Sequence, residues 1–204
     1  MVNSVSFSRD GKMLAMASSD GMVRLWAIED VGEMLARGCK LLEDYFVENF
    51  EALESLSSCQ NSVNKAAVAP GLVKQGEKLA KEGKLIKALS FYKQAQQLDL
   101  NLEIDANYWN NLCWFGSLHG YAADVMDACE KAVAKAPKYK GYQDSRGLAR
   151  ALTGDTAGAI SDFQEFVDWI GDDELTAKPQ KWIDQLRAGK NPFTEEVLKD
   201  LLEE

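Results

Sequence analysis

The chain has 204 residues, 46% apolar and 27% charged, proportions of a soluble globular protein that exclude wholesale disorder and a collagen-like repeat. That length suffices for one large or two small domains. Lys and Arg number 23 against 32 Asp and Glu, a net charge of −9, which repels phosphate backbones and anionic lipid, so nucleic acid and membrane surfaces are poor partners.

No apolar run approaches the ~18–20 residues of a membrane span, and Met1 to Asp10 lack the basic-then-apolar order of a secretory signal, so a cytoplasmic location is expected. Cys39, Cys59, Cys113 and Cys129 lie 20, 54 and 16 residues apart with no C-x-x-C pair, and His119 is the single histidine. The cysteines are expected as buried thiols rather than disulfides or metal ligands.

Residues 4 to 8, 13 to 19 and 22 to 28 are short β-branched and aromatic runs separated by Asp10-Gly11 and Asp20-Gly21, strong hairpin signals. They predict a three-stranded antiparallel meander. With Phe7, Asp10-Gly11, Leu14-Ala15, Asp20-Gly21 and the Val23-Arg24-Leu25-Trp26 strand in place, residues 1 to 29 resemble part of a WD repeat. Arg9 and Ala27 depart from that family's proline and aspartate, and Asp20 has no histidine partner. The resemblance implies the last blade of a β-propeller, and a chain cut from or derived from a larger protein. A lone blade has nothing on which to bury its faces. Either the sheet docks on the helices behind it, which is the expectation, or its free edge pairs two copies into a homodimer.

From Glu29 the period changes. Val31, Met34, Leu35, Gly38, Leu41, Leu42, Tyr45 and Phe46 form one stripe, predicting a single amphipathic helix capped by Asp30. Residues 51 to 68 lose the period and read as a connector, so residues 30 to 68 are an amphipathic helix and linker and a domain boundary is placed there.

Residues 69 to 204 are governed by self-similarity. Gly76, Ala88, Tyr92 and Ala95 recur as Cys113, Val125, Cys129 and Ala132, and then as Gly147, Ala159 and Phe163. With Trp109 to Cys113, Ala88 to Tyr92, Ala159 to Phe163 and Pro137, these resemble the tetratricopeptide repeat, a ~34-residue helix-turn-helix. Copies are placed at 69 to 102, 106 to 139 and 140 to 173, with Gly83, Gly120 and Gly154 ending each first helix. Val125, Cys129 and Arg150 depart from the pattern. Lys178-Pro179 is expected to open a helix carrying Trp182, Ile183 and Leu186, and Thr194 to cap another, both covering the open end of the stack. The predicted fold is thus mainly α: a right-handed tetratricopeptide solenoid with C-terminal capping helices, preceded by a three-stranded β-meander.

Little in the sequence points to chemistry. His119 precedes a turn glycine with no nucleophile and base beside it, and is expected at a surface or cap. Asp172-Asp173-Glu174 lacks the spacing of a calcium loop and reads as a solvated helix end. No glycine-rich phosphate loop follows a strand. No catalytic residue, cofactor or metal site is expected. Charge is uneven: residues 69 to 104 carry six Lys and four acids, residues 140 to 175 three bases and eight acids, a polarity that would orient a peptide or a second copy.

The tetratricopeptide resemblance implies that first helices line a concave, partner-binding face. Its exposed side would offer Lys74, Glu77, Lys81, Asn107, Asn110, Asn111, Trp114, Asp144, Ser145 and Leu148. Family members that clamp a C-terminal carboxylate use basic and asparagine positions occupied here by Val73, Glu77, Gly141 and Ser145; only Asn111 fits, so chaperone-tail binding is not expected. Together the resemblances imply a non-enzymatic protein-interaction scaffold, like the C-terminal part of bacterial, particularly cyanobacterial, multidomain proteins, with a self-associating structural module as the alternative.

Overall fold

A computed structural model describes residues 1 to 60 and 65 to 203. It is mainly helical behind an N-terminal sheet and divides into two compact units, Met1–Ala67 and Val68–Glu204.

In the first unit, β1 (Val2–Phe7), β2 (Met13–Ser18) and β3 (Val23–Ala27) form an antiparallel sheet in sequence order. Asp10 and Asp20 turn the hairpins by accepting the backbone N–H of Lys12 and Met22 at 3.1 and 3.0 Å, the Asx geometry that makes Asp-Gly a hairpin signal. The register aligns Phe7 with Leu14 and Trp26, and Ser6 with Ala15 and Leu25. Side chains alternate between faces along a strand, so Val5, Phe7, Leu14, Met16 and Trp26 share one face and Val23 and Leu25 the other. Both faces are open: Phe7 is 67% and Trp26 54% exposed on the first, Leu25 64% on the second. Within its own unit the sheet does not dock on the helices that follow it. A stripe of large apolar residues on each side of a three-stranded sheet demands cover on two faces.

Helix α1 (Val31–Leu41) starts in a capping box in which Asp30 accepts from Glu33 N–H at 2.7 Å and Glu33 returns the bond to Asp30 N–H at 3.1 Å. The single expected helix is divided. Leu42 breaks the run and α2 (Glu43–Glu48) follows, then α3 (Phe50–Ser55) inside the segment read as connector. Residues 61 to 64 of that connector lie outside the described residues. Phe46, Phe50 and Leu53 are buried, whereas Val31, Met34 and Leu35 are exposed.

The second unit is built from helices joined by short turns: α4 (Lys65–Lys81, which begins in the first unit), α5 (Leu85–Leu98), α6 (Ala106–Leu118), α7 (Ala122–Lys135), α8 (Gly141–Thr153), α9 (Thr156–Ile170), α10 (Asp173–Arg187) and α11 (Glu195–Glu203). Adjacent helices pack in a repeating pattern, α6 on α7, α7 on α8, α8 on α9 and α9 on α10. Gly83, Gly120 and Gly154 end the three first helices with φ of 73°, 85° and 90°, a conformation that costs glycine nothing. Within the first pair a Cβ on Gly76 would lie 2.7 Å from the Tyr92 ring, and within the third a Cβ on Gly147 would lie 2.8 Å from Phe163. Small against large at a spacing of sixteen sets the distance between paired helices.

Cys113 and Cys129 occupy that same pair of positions in the second pair and form a disulfide across α6 and α7, with Cα atoms 4.9 Å apart. Cys39 and Cys59 form another in the first unit, Cα to Cα 5.2 Å. The expected buried thiols are therefore bridged; for Cys113 and Cys129 the closest approach of two packed helices falls in the range a disulfide needs.

One expectation about the C-terminal helices is also corrected. Helix α10 starts at Asp173, because the Asp172 carboxylate accepts the N–H groups of Glu174 and Leu175 at 2.9 and 3.2 Å, and Pro179 lies inside the helix instead of opening it. Helix α10 packs on α9, and α11 packs on α6 and shares the apolar cluster of Trp182, Ile183 and Leu186 from α10. The core here joins Leu118, Leu148, Phe163, Trp182, Ile183 and Leu201.

Candidate partner-binding face

The first helices of successive pairs are neighbours, with α6 beside α8 and α4 tied to α6 by side chains. Asn111 Nδ2 donates to Glu77 Oε1 at 2.7 Å across 34 residues, and Lys81 Nζ pairs with the same oxygen at 2.8 Å. Glu77 is more enclosed than Lys81, its side chain 18% against 48% exposed. Lys81 also stands 5.7 Å above the Phe115 ring. One carboxylate with an amide and an ammonium on it is a fixed polar patch at the junction of two pairs, able to exchange hydrogen bonds with a peptide backbone.

Lys74 and Asn107 are exposed on α4 and α6. Asn110 and Asp144 are half-buried, and Asn110 Oδ1 and Asp144 Oδ1 are sealed from solvent without a hydrogen-bond partner among the described residues. Burial pushes the Asp144 carboxyl up to about 7, because removing a carboxylate from water disfavours its charged form. Trp114 is half-buried and packs against the core cluster. Ser145 and Leu148, expected on the exposed side, are buried, and Leu148 is a core residue with no exposed surface. For Leu148 the reason is tertiary: α8 turns it toward the apolar side chains that α9, α10 and α11 contribute to the cluster. The structure thus joins Lys81, Glu77 and Asn111 directly and leaves Lys74 and Asn107 open beside them.

His119, at the end of α6, lies against the turn between α4 and α5, its ring within 3.0 Å of where a Gly83 Cβ would be. Its Nε2 bonds the Lys81 carbonyl at 3.2 Å, one of the carbonyls that a helix end leaves without an intrahelical partner.

A buried ionic network, not evident in the residue pattern, links α7, α8 and α9. Arg146 grips Asp162 at two points, Nη2 to Oδ1 at 2.6 Å and Nε to Oδ2 at 2.9 Å. Arg150 adds a bond to Asp162 Oδ2 at 2.9 Å, and both arginines reach Glu130 on α7. Arg150, a departure from the repeat pattern, is thereby accounted for. The available signal was two arginines one helical turn apart, with an acid sixteen residues beyond the first.

Among the described residues, no group of three or more His, Cys, Asp or Glu is placed to hold a metal ion, and no helix is long and apolar enough to cross a membrane. No protein-family model matches the chain, and no curated protein is significantly similar to it.

Proposed function

We propose that this chain is a non-enzymatic interaction scaffold whose helical pairs act as tetratricopeptide repeats in a right-handed solenoid, binding a peptide or partner helix along the first helices. The observation that carries the reading is the Asn111–Glu77 hydrogen bond. It ties first helices of neighbouring pairs at a 34-residue separation, so polar side chains from two repeats form one row open to a ligand backbone. That His119 packs on a helix end supports a structural role for the only histidine. The chain works in the cytoplasm in this proposal, where the glutathione pool favours thiols. Alkylating cell extracts before and after reduction reads whether Cys113 and Cys129 are bridged there.

Selection of a displayed-peptide library on the full chain tests the binding reading. Selected peptides are expected to lose at least tenfold in affinity on the Glu77→Ala, Asn111→Ala double variant while its melting temperature stays within a few degrees. Selection of nothing, or equal binding to the double variant, rejects it.

A second reading is favoured by the sheet. Large apolar residues exposed on both its faces suit a WD-repeat blade that belongs between two neighbours, in the C-terminal portion of a longer protein, or one that pairs with a second copy. Light scattering over a hundredfold concentration range, with Leu25→Lys and Trp26→Lys for comparison, tests the paired form, and a strict monomer at every concentration removes it.

A further inference from the structure

Where α8 begins and α9 ends, a group of aromatic rings stands in the open. Tyr139 and Trp169, 49% and 45% exposed, are the exposed aromatic side chains among the described residues of the second unit. They touch, with ring centroids 5.2 Å apart at 78°. Tyr142, in the first turn of α8, meets Tyr139 at 4.8 Å and 69°, and Phe166 stands 6.4 Å from Trp169. Gly141 makes room for this arrangement, since a Cβ there would lie 2.7 Å from the Tyr139 ring. Edge-to-face contact sets the positive rim of one ring on the negative face of the next, which holds these rings in place while leaving them half open to solvent.

Their surroundings are negative. Between Arg150 and Lys178 the sequence holds seven acids and no base. Helix α9 ends inside this stretch with no basic residue in its last turn, so the negative end of its dipole meets no cation of its own. Asp168 and Asp172 flank Trp169 in the chain. Burial, and then the nearby Asp105 carboxylate, raise the Tyr142 hydroxyl above its ordinary range. Of the two lysines beside Tyr139, Lys140 is held by Glu165 at 2.7 Å, and Lys138 is exposed. Elsewhere in this unit lysines stand over the rings of Phe91, Trp109 and Phe115, whereas among the described residues no cation covers Tyr139, Tyr142 or Trp169.

We propose that Tyr139, Tyr142 and Trp169 form a recognition site for a basic peptide, which lays an arginine guanidinium on the exposed rings while its other positive charges meet Asp105, Asp168 and Asp172. Aromatic faces attract cations. A guanidinium, planar and weakly hydrated, stacks on them better than an ammonium does, and the surrounding carboxylates favour a positive ligand over a merely apolar one. The site shares no residue with the Glu77–Asn111 row, so it goes beyond the reading of that row and gives the partner of the scaffold a charge.

A fluorescein-labelled heptapeptide of alternating glycine and arginine is titrated by fluorescence anisotropy into the full chain at physiological ionic strength, where attraction to distant net charge is largely screened. Its lysine counterpart is the comparison, expected to bind at least about threefold more weakly. Tyr139→Leu with Trp169→Leu keeps apolar bulk and removes the π faces, and is expected to weaken arginine-peptide binding about fivefold or more. Asp168→Asn with Asp172→Asn leaves the rings in place and keeps the start of α10, because asparagine caps a helix as aspartate does. It is expected to weaken binding about threefold, and it decides the matter if the leucine variant melts early. Glu77→Ala with Asn111→Ala is expected to bind the arginine peptide as the native protein does. No measurable binding to the native protein overturns the proposal, and so does equal binding of the arginine and lysine peptides. Equal affinity for the native protein and a folded leucine variant overturns it, as does equal affinity for the native and asparagine proteins. Binding lost only with Glu77 and Asn111 places the peptide on the first-helix row, which keeps the broader reading and removes this site.

Discussion

Arg146 on α8 holds Asp162 on α9 through two parallel hydrogen bonds of 2.6 and 2.9 Å, and the Asp162 side chain is only 2% exposed. A carboxylate so enclosed is tolerable because two guanidiniums, from Arg146 and Arg150, satisfy it while Glu130 balances them from α7. Fork-to-fork geometry makes such pairs the strong ones.

Removing Asp162 should therefore cost more than removing its partners. Asp162→Ala leaves two partly buried arginines facing each other, and the loss expected for breaking a buried pair is about 3–5 kcal/mol. Arg150→Ala leaves Asp162 its two bonds from Arg146, and should cost about half as much. Urea denaturation of both variants measures this, and a smaller loss for Asp162→Ala than for Arg150→Ala would contradict the network as described.

Cys113 and Cys129 close a loop of sixteen residues between two wholly buried positions. Chain-entropy arguments put such a bridge at about 3 kcal/mol. Thermal melts with and without a phosphine reductant, compared with Cys113→Ala, Cys129→Ala, should show the reduced and doubly substituted proteins melting well below the oxidised one. Identical melts for oxidised and reduced protein would mean the bridge contributes nothing to stability.

Gly147 faces Phe163 so closely that a Cβ would lie 2.8 Å from the ring. Gly147→Ala forces the ring aside in a core it shares with Trp182 and Phe193, whose rings stand 5.4 and 6.1 Å away. Overpacking of this kind costs about 1–3 kcal/mol, more than alanine returns through helix propensity, about 1 kcal/mol. A melting temperature equal to or above the native one would show that the pair has room to spare.

Much of this architecture is legible in residue pattern because it is local. Asp-Gly turns, the Asp30 cap and the glycines ending first helices each act within a few residues. The small-to-large pairing at a spacing of sixteen marks where helices cross, and it also held the answer for the cysteines. Cys113 and Cys129 repeat the spacing of Gly76 and Tyr92, yet metal-ligand and short-range cysteine spacings say nothing about a helix crossing. Arg150 looked like an intruder because its partners, Asp162 and Glu130, stand on other helices. Leu148 and Ser145 differ from expectation for the same reason: a periodic stripe tells which residues share a face, not what covers it. The amphipathic stripe of α11 likewise predicts a helix with an apolar side and cannot tell that the side rests on α6.

Asp144 supplies a pH-dependent test of the candidate face. Its carboxyl is pushed up to about 7 by burial, against about 4 in an unfolded chain. The folded state therefore binds the proton more tightly than the unfolded state does. Below about pH 4 both forms are protonated and the residue costs nothing. As pH rises from about 4 to 7 the unfolded state gains a solvated carboxylate that the folded state resists forming, so stability falls through this window and levels off above it. Asp144→Asn removes the charge and with it the dependence. Native and variant proteins are expected to be equally stable near pH 4, with the variant ahead by up to about 4 kcal/mol at pH 8. Denaturation midpoints at half-unit steps between pH 4 and 8 provide the measurement. Parallel curves for the two proteins would mean that the Asp144 carboxylate is solvated, and that this end of the face is open to water.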